Sequence, residues 1–137
     1  MRAGVAQAVD VIVVDTSALV DSLCGSRNSA PLLRELIAAG QRLTLPTMVL
    51  YEWWRGPRRS HELDVQEALF PSEQALDFGV HEAEAAARLY TVVSRPRGRE
   101  LDLAIASHAL VREASLWTLN PGDFSDIPGI NLVSLEP

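Results

Sequence analysis

Cysteine is nearly absent from this chain, and lysine is wholly absent. Cys24 stands alone, so no intrachain disulfide can form, and no Cys/His grouping has zinc-site spacing. Any structural or catalytic metal must therefore be held by oxygen. All twelve basic residues are arginine, which suits phosphate recognition by planar guanidinium groups and is equally explained by genomic base composition. Positive charge is also in deficit, with a formal net charge of -6. That balance argues against a broadly cationic nucleic-acid surface unless a local arginine stripe or a bound divalent cation offsets it. No apolar run approaches the roughly 20 residues of a membrane-spanning helix, and the first residues lack a signal-peptide pattern. A soluble cytoplasmic protein, with no membrane partner, is expected. Internal repeats, low-complexity tracts and domain-boundary signals are missing too.

What remains is a chain of 137 residues, 47% hydrophobic, enough for one domain with a real core. Its opening motif is VIVVDTSALVDSL, where a β-branched run from Val11 ends on Asp15. Asp10 to Asp15 reads as a short buried strand, with Thr16 or Ser17 placed to cap a helix that Gly25 breaks. SAPLLRELIAAG, from Ser29, has a cap, an early proline, helical apolar spacing and Gly40 as a stop. RLTLP reads as a second strand, and TMVLYEWWRG as a hydroxyl-capped helix carrying Glu52 as far as Gly56. After an arginine-bearing turn, a short helix closes at Pro71, and ALDFG follows as a brief strand or a connection. A helix over His81 to Val93 leads into the arginine-rich loop SRPRGRE, and ELDLAIASHALVREA returns to helical spacing. SLWTL is a further buried strand, NPGDF a turn, and the remainder a turn or short helix with a terminal strand. This alternation of strands and helices implies an α/β fold around a mainly parallel sheet.

In such sheets functional groups gather beyond the carboxyl ends of the strands. Asp15, Glu52, Asp102 and Asp123 all lie where they could converge there. Carboxylates clustered without a counter-charge oppose one another's ionisation, whereas a divalent cation reverses that balance. Convergence would imply Mg²⁺, with Mn²⁺ able to substitute, bound directly by one or two carboxylates while other acids orient its waters. In a phosphodiesterase site one such ion activates water and polarises phosphate, and a second stabilises the leaving oxygen.

The motifs VVDTSALV, LPTMVLYEWWRG, GRELDLAIASHAL and LWTLNPGDFSDIPGINLV occur in this order, each bringing one of the four acids. On these motifs, nearly the whole chain resembles the PIN-domain nucleases, particularly the short toxin ribonucleases of bacterial VapBC-type toxin–antitoxin systems. The resemblance implies one PIN domain over residues 1–137, built as a three-layer α/β/α sandwich. It implies that Asp15, Glu52, Asp102 and Asp123 are both the catalytic and the metal-binding acids of an endoribonuclease. Thr16 and Ser17, with Thr118 and Asn120, match its orienting polar positions. Asn120 stands where some members carry a further acid, which implies a weaker second metal site. The resemblance also implies structured RNA such as tRNA as substrate, a homodimer, and a separate antitoxin whose C-terminal segment covers the pocket in a hetero-oligomer.

Each feature has a plainer reading. Asp15 alone would be an ordinary turn residue, Glu52 a solvated helix acid, and Asp102 competes with Glu100 for a helix start. Asp126 competes with Asp123 in the same turn. Arg55, Arg58 and Arg59, with Arg95, Arg97 and Arg99, are candidates for RNA phosphate contacts, although exposed loop arginines are commonly just solvated. Trp53 and Trp54 must point in different directions from one helix, one toward the core and one toward a partner. DFG at Asp77 to Gly79 lacks every other kinase element. His61, His81 and His108 form no metal-ligand pair and read as surface or packing residues. Two rivals stand beside the toxin reading: a catalytically weak or inactive PIN-fold RNA-binding module, and a DNA or flap nuclease, for which no clamping domain is present.

Overall fold

The computed structural model describes residues 10–26 and 28–133. Three parallel strands form its sheet: β1 (Val11–Val14), β2 (Arg42–Thr44) and β3 (Ser115–Trp117), ordered β2-β1-β3. Val13 aligns with Thr44 on one side and with Leu116 on the other. Parallel neighbours cannot be joined by hairpins, so helices make the crossovers. Between β1 and β2 run α1 (Thr16–Cys24) and α2 (Ala30–Ala38). Between β2 and β3 run α3 (Thr47–Arg55), α4 (Ser60–Leu69), α5 (Val80–Val92) and α6 (Glu100–Arg112).

The central strand explains the unbroken apolar run in the sequence, because Val13 and Val14 are fully buried between helices on both faces. α1 packs against α2, α3 and α4, while α5 packs on α6, and α6 lies against β1 and β3. The expected α/β sandwich is thus realised around a three-stranded parallel sheet. Trp53, Trp117, Leu19, Leu103 and Ile105 fill its core, each with essentially no exposed surface. Burial of one such side chain contributes about 1.5–3 kcal/mol.

The two uncertain edge segments pair at single residues. Leu76, within ALDFG, bridges Pro46, and Leu132 bridges Leu116, both in parallel. Of the expected terminal strand, residues 134–137 lie outside the described residues. The helix caps depart from expectation. Asp15 and Pro46, not the hydroxyl residues after them, are the N-caps of α1 and α3, and neither makes a side-chain cap hydrogen bond. The hydroxyls of Thr16 and Ser17 instead donate to the Glu52 and Asp15 carboxylates, charge-assisted bonds that are stronger than a neutral amide-to-hydroxyl cap.

Candidate active site

Asp15 leaves the carboxyl end of β1, and its amide donates to the Trp117 carbonyl at 2.8 Å, tying the ends of β1 and β3 together. Its carboxylate is buried, and two hydroxyls converge on one oxygen. Thr118 Oγ1 donates to Asp15 Oδ2 at 2.8 Å, and Ser17 Oγ donates to the same atom at 2.9 Å. Ser17 also accepts the Leu119 amide at 2.9 Å, and Thr118 accepts the Asn120 amide at 3.0 Å. The turn after β3 is therefore folded around the carboxylate that ends β1. No described group donates to Oδ1, so both hydroxyls orient Asp15 while leaving one oxygen available.

Glu52 projects from the second turn of α3. Thr16 Oγ1 donates to its Oε1 at 2.5 Å, and Arg55 Nη2 approaches Oε2 at 3.5 Å. Thr16 and Ser17, adjacent in sequence, thus hold two acids from different elements, Glu52 of α3 and Asp15 at the end of β1. Asp102 occupies the first turn of α6, and Asp123 closes the short 3-10 turn Pro121–Asp123 after β3. Among the described residues no hydrogen-bond donor reaches either of these two carboxylates.

The four acids share one electrostatic environment. Burial, followed by the charges of Asp15, Asp123 and Glu52, pushes the Asp102 pKa up to about 6 against the lowering effect of Arg99. Each neighbour named there comes from a separate element: the end of β1, the turn after β3, and α3. Glu100, the competing acid, is exposed at the first position of α6. The other competitor, Asp126, is held by Arg99 through a two-pronged contact, Nη2 to Oδ1 at 2.7 Å and Nη1 to Oδ2 at 3.0 Å. That ion pair lowers the Asp126 pKa. Asp21, also buried, accepts the Ser29 amide at 2.9 Å and helps join α1 to α2.

The donor set is all oxygen and all acidic, which suits a hard divalent cation. Among the described residues no three His, Cys, Asp or Glu side chains stand ready as a metal cage. Mutually repelling carboxylates without a cation would be held apart, and Mg²⁺ commonly takes only one or two of them directly. The raised Asp102 pKa and the undonated carboxylates of Asp102 and Asp123 fit such an ion.

The arginines divide into two groups. Arg55, Arg59, Arg95 and Arg97 are exposed, Arg55 lying 5.2 Å over the Tyr51 ring beside Glu52. Arg58 is occupied, stacking 4.2 Å over the Trp53 ring and donating to the Trp53 carbonyl at 2.9 Å. Arg99 is occupied as well, its Nη1 and Nη2 donating to Ser94, Asp123 and Asp126. Trp53 is the tryptophan in the core, while Trp54 is half exposed with its indole N–H on Gln66 Oε1 at 3.3 Å.

His108, one of the three histidines expected to be surface or packing residues, is a packing residue whose polar partners the sequence did not name. His108 is fully buried in α6, with Arg112 Nη1 3.3 Å from its Nδ1, and Arg112 in turn pairs with Glu82 of α5 at 2.8 Å. The i,i+4 spacing of His108 and Arg112 was the available signal. Glu82 also accepts the Gly79 amide at 3.1 Å, so the DFG segment ends as the start of α5.

The family model of the PIN domain matches residues 12–130. Among solved structures, VapBC2 from Rickettsia felis bound to a DNA fragment of its promoter superposes with a TM-score of 0.69 at 21% identity, over 92% of this chain and 99% of that one. A toxin–antitoxin complex from Klebsiella pneumoniae gives 0.66 at 23% identity, over 90% and 96%. DNA-bound VapBC from Salmonella typhimurium gives 0.66 at 20%, over 92% and 98%. At these identities the likeness is one of fold. No curated protein matches the chain.

Proposed function

We propose that this chain, which belongs to the PIN-domain family, is a divalent-metal-dependent endoribonuclease and the toxin of a toxin–antitoxin pair. The observation that carries the reading is the environment of Asp102, whose proton affinity is raised first by burial and then by three other acids arriving from three other elements. A fold that needed these residues only for stability would disperse or pair them.

Asp15, Glu52, Asp102 and Asp123 would hold the cation, with Mg²⁺ the natural occupant and Mn²⁺ a substitute. When bound, the cation supplies an acidified water and neutralises charge on the phosphate. The chain's own residues do the rest. Thr118 and Ser17 hold one oxygen of Asp15, which would leave the other for the cation, and Thr16 holds Glu52. Asp102, whose pKa is raised by burial and then by the neighbouring acids, would hold a proton most readily while no cation offsets those charges, and release it when one does. Arg55, Arg59, Arg95 and Arg97 are exposed donors suited to RNA phosphates flanking the acids. An RNA loop, including a tRNA loop, is a reasonable substrate because its backbone can bend into a pocket among the strand ends.

The likeness to VapBC complexes supports an antitoxin partner, and with it we propose a toxin homodimer within a hetero-oligomer that acts in the cytoplasm. The rival reading, RNA binding without cleavage, draws on the absence of a preformed three-ligand cage among the described residues. Purified wild type, Asp15→Asn and Asp102→Asn, incubated with a broad RNA pool in Mg²⁺, Mn²⁺ or EDTA, separates the two. Cleavage by wild type alone, abolished by EDTA, is expected. Equal cleavage by all three proteins, or metal-independent products, would overturn the mechanism, and RNA retention without products would favour the binding module.

A further inference from the structure

The arginine that precedes α6 makes an unusual number of internal bonds for a residue in so exposed a loop. Arg99 Nη1 donates to the Ser94 carbonyl at 2.9 Å and to Asp126 Oδ2 at 3.0 Å. Its Nη2 donates to the Asp123 carbonyl at 3.0 Å and to Asp126 Oδ1 at 2.7 Å. One planar group therefore joins the α5–α6 loop, the main chain of Asp123 and the carboxylate of Asp126. Arg99 is also the N-cap of α6, three residues before Asp102. Its side chain is only 21% exposed, so a phosphate could reach it only by displacing these partners.

From this geometry we infer that Arg99 is a positioning residue, clasping the Asp123 turn to the first turn of α6 so that Asp102 and Asp123 face one cation. Asp126 is its anchor, not a metal ligand. The fork is what matters: five N–H donors in a fixed plane can serve a carboxylate edge and two carbonyls together, which an ammonium cannot do. Gly98 permits the approach, since its φ of +87° places the chain in the left-handed region immediately before Arg99. The inference rests on the proposed metal-binding role of the four acids, and its sign separates it from a charge effect. A cation this close to the acids repels Mg²⁺, so if Arg99 acted only through charge, its loss would tighten metal binding. If Arg99 positions ligands, its loss weakens binding.

The test uses the full chain as wild type, Arg99→Gln, Arg99→Lys, Asp126→Asn and the double variant, with Mn²⁺ binding followed by electron paramagnetic resonance well below the unfolding temperature. Removal of a partner that orients metal ligands typically costs about 10–100-fold in affinity. That loss is expected for Arg99→Gln and Asp126→Asn, with most of it also in Arg99→Lys, and with no further loss in the double variant because the two residues act as one unit. Tighter binding in Arg99→Gln with wild-type binding in Arg99→Lys would overturn the clasp, as would fully additive losses. Amide exchange supplies the second arm without metal. The Asp123 and Phe124 amides, bonded to Asn120 and Pro121 carbonyls at 3.0 Å each, should exchange faster in Arg99→Gln. Unchanged exchange refutes the clasp. Should wild type bind no Mn²⁺, the metal-site reading falls, and exchange still decides whether Arg99 holds the turn.

Discussion

Asp102→Asn should stabilise the metal-free protein at neutral pH, by an amount that shrinks toward acid. The Asp102 pKa stands at about 6, against about 3.9 for an unfolded aspartate, so the folded state holds this proton more tightly. An acid raised in this way weakens folding as pH climbs from about 4 to about 6, and its full cost applies above that window. Two units correspond to roughly 3 kcal/mol at about 1.36 kcal/mol per unit. Asp102 is partly exposed, so solvent screening reduces the expectation to ~1–2 kcal/mol. Asparagine carries no charge, and the advantage of Asp102→Asn should be small near pH 4 and reach that value near pH 7.

His108 imposes the opposite slope. Burial, then repulsion by Arg112, pulls its pKa down to about 4, with Glu82 working against the shift. A histidine held neutral in the fold loses stability as pH falls from its unfolded value of about 6.5 toward 4. In the wild type the two slopes oppose across much of the same window and flatten the profile. Asp102→Asn removes one slope and should leave stability rising more steeply with pH. Urea unfolding of both proteins in EDTA, at intervals from about pH 4 to 7, reads the difference directly. A variant less stable than wild type at neutral pH, or a difference independent of pH, would refute the electrostatic account of the cluster.

What could be read from sequence follows from how locally each residue's partners lie. β1 announces itself because a parallel strand buried on both faces needs apolar side chains at successive positions, and a charge can begin only where the strand emerges. Asp15 is that point. The tryptophan pair is legible for a similar reason, since adjacent helical residues diverge by about 100° and only one can enter the core. The caps were misread because Thr16 and Ser17 look alike to any local rule, and their acceptors are decided by α3 and by the turn after β3. The internal bonds of Arg99 were not legible on the same grounds: a loop arginine open to solvent and one aimed at Ser94, Asp123 and Asp126 have the same sequence signature. The motif context favours Asp123 over Asp126, but only the structure shows that the Arg99 guanidinium occupies Asp126.

Further outcomes follow from the same contacts. Mg²⁺ at millimolar concentration should raise the thermal midpoint of wild type through preferential binding to the folded state, and raise it little or not at all in Asp102→Asn; a differential scanning measurement showing equal shifts would count against the cluster. Thr118→Val deletes a hydrogen bond to Asp15 at 2.8 Å while keeping the shape of the side chain, so metal-dependent cleavage should fall about 10-fold with little change in fold by circular dichroism. Trp53→Ala empties the centre of the core and should cost about 3–5 kcal/mol in urea unfolding. The Glu82–Arg112 pair supports a sharper prediction. Burial works to raise the Glu82 pKa, yet hydrogen bonds from the main chain and Arg112 leave it lowered, so the acid stays charged inside the α5–α6 contact. Arg112→Met strands that charge, with only 8% of the Glu82 side chain exposed, and should cost about 3 kcal/mol. Adding Glu82→Gln removes the stranded charge while an amide oxygen can still accept the Gly79 N–H, so the double variant should recover part of the loss. If the double variant is no more stable than Arg112→Met alone, the cost came from lost packing of the arginine stem and not from an uncompensated carboxylate.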